Sequence, residues 1–146
     1  MKNKLIIFDF LRTIYNPDEE NFIADALSVL KELRRENKVV LYTSREGDKN
    51  RKDKLEELQL NSLFDEVFLV ENKNKETLQE LGIGYEKENI FVVGDRIKGE
   101  IKLGNQNGFT TVWFRQGKYK NELPNNNDEK PDYRIESLTD LLQLKN

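Results

Sequence analysis

Short apolar runs alternate with amphipathic stretches along the chain. The first five runs are hydrophobic at successive positions, a pattern typical of strands that are covered on both faces of a parallel sheet. A shorter sixth run follows near the end. These runs predict strands at residues 5–9, 39–43, 66–70, 90–93, 110–114 and 133–135.

The amphipathic stretches between the strands predict helices. The clearest covers residues 17–36, where Asn16 can cap the first turn and three acidic residues suit the positive end of the helix dipole. Further helices are predicted at residues 49–58, 75–81, 97–107 and 137–144. This alternation with short connections indicates an α/β fold, a three-layer doubly wound parallel sheet with right-handed crossovers.

The organisation of the chain is simple. Its 146 residues suit one domain, and neither a repeat nor a linker divides them, so we expect a single domain over residues 1–146. Residues 115–132, rich in Asn, Lys and Glu, form a longer connection than usual. We expect this segment to be either a mobile loop or a rim over a functional site.

Composition restricts the chemistry. The chain has no histidine and no cysteine, which excludes thiol catalysis, disulfides, a Ser-His-Asp triad and most zinc sites. Its net charge of −3 argues against a general nucleic-acid binder. The apolar run at residues 5–8 is too short for a signal peptide or a membrane span, so we expect a cytoplasmic protein without a membrane partner.

Polar residues follow the carboxyl ends of four predicted strands. Doubly wound sheets bind their ligands at this edge, near the point where the strand order reverses. Carboxylates, hydroxyls and ammonium groups are therefore predicted to converge there. The residues concerned are Asp9, Thr13, Thr43, Ser44, Lys73, Lys75, Asp95 and Glu100.

These residue types suit phosphoryl chemistry at a magnesium ion. Asp9 and Asp95 can share Mg²⁺, which prefers oxygen ligands and bridges to phosphate. A carboxylate can attack phosphorus, while a hydroxyl and an ammonium can hold the transferring oxygens. Each residue alone also has an ordinary explanation, for example Thr43 as a helix cap or Asp9 as a turn residue. Their order along the chain favours a site.

Four segments carry a more specific pattern. Residues 5–14 read as hydrophobics followed by D-x-L-x-T, and residues 39–44 form an apolar run that ends in Thr-Ser. Lys73 lies ahead of Glu-Thr-Leu, and residues 92–100 contain G-D-x-x-x-x-E. In this order the segments resemble the four motifs of the haloacid dehalogenase-like (HAD) hydrolases. The resemblance covers nearly the whole chain and implies the Rossmann-like α/β core of that superfamily.

The resemblance implies a nucleophile and a metal. Asp9 would attack phosphorus and form an aspartyl phosphate. Mg²⁺ would be held by Asp9, Asp95 and the backbone carbonyl of Leu11. The substrate would be a phosphorylated small molecule or an exposed phosphate on a larger one.

Phosphate-binding residues are implied as well. Thr43, Ser44 and Lys73 would bind the phosphoryl group, and Lys75 is the alternative lysine. Thr13 and Glu100 would support the site.

Two positions depart from the family pattern. Phosphatases of the family carry a second Asp as general acid and base where this chain has Leu11, and Arg12 stands where Gly is customary. Leucine keeps the carbonyl ligand but cannot transfer a proton, a contribution of roughly 10²–10⁴-fold. We therefore expect a hydrolase limited to good leaving groups, or alternatively a catalytically silent binding or regulatory protein.

The spacing of the motifs leaves no room for a cap domain. One predicted helix and one strand fill each interval between Asp9, Thr43 and Lys73. The site should therefore be open, as in capless relatives that act on large substrates or are closed by a partner subunit, so a homo-oligomer is conceivable. A dehalogenase-like activity is disfavoured because the usual cap is missing. Residues 115–132 alone are available to cover the site.

Overall fold

A six-stranded parallel sheet forms the centre of the computed structural model, which describes residues 1–144. The sheet order is β5–β4–β1–β6–β7–β8, so the chain winds outward from β1 in both directions. This arrangement confirms the predicted doubly wound α/β fold. The strands are β1 (Leu5–Phe8), β4 (Lys38–Ser44), β5 (Glu66–Val70), β6 (Ile90–Gly94), β7 (Thr110–Phe114) and β8 (Tyr133–Ile135), and β2 (Tyr15–Asn16) and β3 (Asn21–Phe22) form a separate antiparallel hairpin.

Helices and turns cover both faces of the sheet. Successive residues of β1 point to opposite faces, so Ile6 and Phe8 belong to one buried cluster, and Leu5 and Ile7 to the other. This double burial explains why the strands read as continuous apolar runs. The helices are α1 (Ala26–Leu33), α2 (Arg51–Glu57), α3 (Leu60–Leu63), α4 (Lys75–Leu81) and α5 (Lys102–Gln106), with a π turn at Ile97–Ile101 and 3₁₀ turns at Lys87–Asn89, Gly117–Tyr119, Asn127–Glu129 and Leu138–Gln143.

The predicted helix at residues 17–36 is wrong in its first half. The Asn16 side chain accepts hydrogen bonds from the backbone amides of Asp18 and Glu19, at 2.9 and 3.3 Å, as a cap would, but it stabilises the turn between β2 and β3. Helix α1 begins only at Ala26. The misleading signal has a physical cause, because Asn and Asp side chains stabilise turns as readily as helix starts.

The other elements agree more closely. Each predicted strand matches its observed strand to within one residue at each end. Helix 49–58 is shorter than predicted, and helix 97–107 is interrupted at Gly99, whose non-helical backbone separates the π turn from α5. Residues 137–144 form a 3₁₀ turn instead of an α-helix, and α3 was not predicted.

Residues 115–132 lie against the loops that follow β1 and β6. Gln116 donates a hydrogen bond of 2.5 Å to the carbonyl of Arg12. Glu122 accepts one of 3.1 Å from the Ile97 amide and pairs with Arg96 at 3.3 Å. Of the two alternatives, these contacts favour the rim.

Only the hairpin, helices and strands named above occupy the intervals between the predicted motif residues, so the described chain carries no cap domain there. No helix in residues 1–144 is both long and apolar enough to cross a membrane.

Candidate active site

Three carboxylates meet where the strand order reverses. Strands β1 and β6 are neighbours, and Asp9 and Asp95 directly follow them. The Asp9 amide donates to the Val93 carbonyl at 3.0 Å, which fixes the first residue beyond β1. One oxygen of each carboxylate lies within 4.8 Å of the others, and the three residues are Asp9, Asp95 and Glu100.

The backbone after β6 brings Glu100 into this cluster. A side chain at Gly94 would place its Cβ 3.0 Å from both the Cβ and Oε2 of Glu100, so it would push the Glu100 side chain away from its present position. The kink at Gly99 turns the chain back over the strand end. The Trp113 indole donates a 2.9 Å hydrogen bond to the Asp95 carbonyl and anchors the same loop from β7.

Lys73 joins two of the carboxylates. Its Nζ lies 2.5 Å from Asp9 Oδ1 and 2.7 Å from Glu100 Oε1. Burial lowers the pKa of Lys73, but the two carboxylates outweigh this and hold the pKa above its ordinary value, so the ammonium is permanently charged. Lys75 is exposed on α4, so the structure brings Lys73 and not Lys75 to the cluster.

The two carboxylates that follow β6 are unfavourable as free anions. Burial, followed by the Asp9 and Glu100 charges, raises the pKa of Asp95 to about 9. Burial, followed by the Asp9 charge, also raises the pKa of Glu100, although Lys73 opposes the rise. Clustered acidic groups of this kind are stabilised in their charged form by a cation.

The donor set fits a hard divalent cation. Asp95 Oδ2 is buried and has no hydrogen-bond partner within residues 1–144, an unusual state for a carboxylate oxygen. Three carboxylates supply the oxygen ligands that Mg²⁺ prefers, and the described chain contains none of the imidazole or thiolate ligands that favour zinc.

Of the predicted hydroxyl residues, Thr13 contacts the cluster, and Thr43 and Ser44 lie at the end of the strand next to β1. Thr13 is fully buried and its hydroxyl is 3.4 Å from Asp9 Oδ2, a long hydrogen bond. Thr43 and Ser44 end β4, the other neighbour of β1. The Thr43 hydroxyl is buried and accepts a 2.7 Å hydrogen bond from Arg51.

Arg51 is the residue that the sequence analysis missed. It lies in the basic run at the start of α2, which also contains Lys52 and Lys54. Arg51 is nevertheless buried, together with Leu55, while its neighbour Lys52 is exposed. The spacing of four residues between Arg51 and Leu55 places both on one helix face and is the signal that identifies it.

The two departures from the motif lie in the loop after β1. Leu11 is half-buried against the core, and its carbonyl accepts no hydrogen bond from residues 1–144. Arg12 has a φ of 63°, the left-handed conformation that favours glycine, which explains the customary residue at this position. The Tyr15 and Gln116 contacts to the Arg12 backbone, at 2.7 and 2.5 Å, hold it there.

Comparison with known proteins agrees with this geometry. Residues 71–141 match the family model of HAD-hydrolase-like proteins. A HAD-hydrolase of Bacillus subtilis, solved bound to magnesium, superposes with a TM-score of 0.76 at 14% identity over 98% of both chains. Residues 71–141 are therefore similar in sequence to the haloacid dehalogenase-like superfamily, and the whole chain has the fold of its solved members.

Two curated relatives are named as enzymes that remove phosphate. Glyceraldehyde 3-phosphate phosphatase of Methanopyrus kandleri is 33% identical over 99 residues, 63% of this chain and 42% of that protein. Pyrimidine 5′-nucleotidase PynA of Streptococcus pneumoniae is 32% identical over 59 residues, 40% of this chain and 23% of that protein. The chain therefore spans less than half the length of either relative.

Proposed function

We propose that the chain is a single-domain, Mg²⁺-dependent phosphohydrolase that acts through an aspartyl phosphate on Asp9, and that Leu11 limits it to substrates with good leaving groups. The observation that carries the proposal is the buried cluster of Asp9, Asp95 and Glu100, in which the Lys73 ammonium pairs with Asp9 and Glu100. These groups would supply a nucleophile, a cation site and a phosphate-binding charge at one sheet edge.

Asp9, Asp95 and the free carbonyl of Leu11 would hold Mg²⁺, with Glu100 in support. When bound, Mg²⁺ neutralises charge on the phosphoryl oxygens and on the attacking carboxylate. The unpartnered oxygen of Asp95 and the unbonded carbonyl of Leu11 support this assignment.

The chain's own residues would carry the two chemical steps. An Asp9 carboxylate oxygen attacks phosphorus, a bond forms between them, and the bond to the leaving oxygen breaks with its electron pair going to that oxygen. A water oxygen then bonds to the same phosphorus, the bond from phosphorus to Asp9 breaks with its electron pair returning to the carboxylate, and inorganic phosphate leaves with the protons of the water. Lys73 and Thr43 would hold the phosphoryl oxygens through both steps.

Leu11 determines which leaving groups are tolerated. An alkoxide needs a proton as it departs, whereas aryl and acyl leaving groups do not. The relatives named for glyceraldehyde 3-phosphate and for pyrimidine 5′-nucleotides support a small phosphorylated substrate. The absence of a cap in the described chain also allows a phosphate exposed on a larger molecule.

Hydrolysis of acetyl phosphate and p-nitrophenyl phosphate, with and without Mg²⁺, tests this function. We expect activity that EDTA removes and that Asp9→Asn lowers by roughly 10⁴-fold or more, as for other nucleophiles. Exposed Asp53→Asn on α2 is the matched control and should retain activity. Activity that survives Asp9→Asn would contradict the proposal.

The second candidate is a catalytically silent binding protein, and Leu11 is the observation that favours it. Such a protein would still bind Mg²⁺ with beryllofluoride, a mimic of the aspartyl phosphate, through Asp9 and Asp95. Binding without hydrolysis of any activated phosphate would select this candidate.

A further inference from the structure

Arg51 connects helix α2 to the end of β4. Its Nη1 donates to the Thr43 hydroxyl at 2.7 Å and to the Ser44 carbonyl at 3.0 Å. Its Nε donates to Asp48 Oδ2 at 3.2 Å. The guanidinium also lies over the ring of Phe10, 5.5 Å from its centroid, directly beside the nucleophile's position in the chain. The same buried guanidinium therefore contacts Thr43 at the end of β4 and Phe10, the residue that follows Asp9.

The Arg51 side chain is buried although it carries a charge. Only 11% of its side chain is exposed, while the Asp48 carboxylate that pairs with it is 40% exposed. An arginine at a helix start is usually solvated, and withdrawing its charge from water is costly unless it makes several good hydrogen bonds. Arg51 also lines a cavity of about 340 Å³ that reaches Phe10 and Leu11.

The bond from Arg51 determines what the Thr43 hydroxyl can do. A hydroxyl has one proton to donate and can accept through its lone pairs. Within residues 1–144 the hydrogen bond from Arg51 is the only one made by the Thr43 hydroxyl, and in it the hydroxyl is the acceptor. Its proton is therefore left to donate to a further group. The register pairs Phe8 with Leu41, so Thr43 lies two residues beyond the last paired position of β4, at the edge where Asp9 leaves β1.

We propose that Arg51 is a positioning residue for the phosphoryl group, holding the buried Thr43 hydroxyl as a hydrogen-bond donor to a phosphoryl oxygen. This inference rests on the proposed function of the same site. It differs from a purely structural role, in which Arg51 would only fasten α2 to β4 and would influence anion binding no more than any other stabilising contact.

Binding of beryllofluoride in the presence of Mg²⁺, measured by calorimetry, tests the inference. Thr43→Val removes the hydroxyl and should weaken binding about tenfold to a hundredfold, as expected for a hydrogen bond to a charged group. Arg51→Met should weaken binding about tenfold through the same hydroxyl. Mg²⁺ binding without beryllofluoride should stay unchanged in both variants, because neither residue is among the cation's ligands.

The double variant separates positioning from structure. If Arg51 acts through Thr43, adding Arg51→Met to Thr43→Val should weaken binding by no more than about twofold, since coupled residues are not additive. Arg51→Lys, which keeps one donor and the charge, should retain part of the affinity. Exposed Lys52→Met removes the same charge from the same helix and should bind like the wild type.

Each outcome bears on a different claim. An equal loss on adding Arg51→Met to the wild type and to Thr43→Val, or no loss at all, would overturn the positioning role. A wild-type protein that binds no beryllofluoride would instead overturn the proposed function. Melting temperatures without ligand verify folding, and if Arg51→Met does not fold, Arg51→Lys in both backgrounds takes its place with an expected loss of about threefold that disappears beside Thr43→Val.

Discussion

The loop after β6 and the loop after β1 form two sides of the site, and they differ in the interactions that their residues make. After β6, Gly94 gives Glu100 its close approach and the Trp113 indole anchors Asp95. Both contacts position the buried acidic residues of this loop. After β1, the corresponding loop places a half-buried Leu11 two residues after Asp9 and holds Arg12 in a conformation suited to glycine.

The loop after β6 thus supplies charged groups, whereas the loop after β1 has no side chain at Leu11 that could transfer a proton. Carboxylates and an ammonium around phosphorus neutralise charge, which is the main requirement of phosphoryl transfer. Proton transfer matters only where the leaving oxygen is strongly basic. A site can therefore lose its general acid and keep a binding or restricted catalytic function, which is why both candidate functions share the side that follows β6.

The largest expected effect comes from removing the positive charge of Lys73 from the carboxylate cluster. Lys73→Met leaves Asp9 and Glu100 without their cation, and removing one partner of a buried pair costs about 3–5 kcal/mol. We expect the free energy of unfolding in EDTA, measured by urea denaturation, to fall by about this amount. Lys75→Met, two residues away and exposed, should change it by less than about 0.5 kcal/mol. Equal effects of the two variants would mean that Lys73 has no special role.

Leu11→Asp tests the loop after β1 by adding a side chain that can transfer a proton. If the acid alone is missing, hydrolysis of alkyl phosphates should rise about 10²-fold, at the lower end of the usual range because nothing has been selected to orient the new carboxylate. Aryl and acyl phosphates should respond far less in the phosphoryl-transfer step, measured by single-turnover kinetics.

Leu11→Asn is the control of matched size without an acid. Leu11 packs against the core, so the melting temperature of both variants has to be compared before the rates. A folded Leu11→Asp protein that, like the wild type, hydrolyses nothing would favour the silent binding protein.

The same contrast explains how much could be predicted from the sequence. The strands were predicted to within one residue because both faces of this sheet are buried and leave continuous apolar runs. Positions directly after parallel strands necessarily share one edge, so the proximity of Asp9 and Asp95 followed from topology. Local polar signals were less informative: Asn16 holds a turn instead of capping a helix.

Arg51 could not be identified from composition. All five other residues at positions 49–54 are polar or charged, so residue type alone does not distinguish the one whose side chain is buried. The four-residue spacing from Arg51 to Leu55 indicates a shared helix face, but only the placement of α2 against β4 in three dimensions shows that this face is buried. Lys73 and Lys75 posed the same difficulty, resolved by the exposure of Lys75 on α4.

The smallest expected effect concerns Arg12 itself. A residue with a side chain costs about 1–2 kcal/mol in the left-handed conformation, a cost that glycine avoids. Arg12→Gly loses a 3.7 Å ion pair with the exposed Asp18, worth little, together with the packing of a side chain that is 21% exposed, and its unfolded chain is more flexible. The free energy of unfolding should therefore rise by about 0.5–1 kcal/mol.

Arg12→Ala is the matched control for this prediction, because it removes the same side chain and keeps the unfavourable backbone. It should leave the free energy of unfolding unchanged or lower it slightly, in urea denaturation under the same conditions. If alanine stabilises the protein as much as glycine, then the benefit comes from losing the arginine side chain, and the backbone after β1 is not strained. If only glycine stabilises it, the loop retains the geometry of the family motif while carrying a residue that this geometry disfavours.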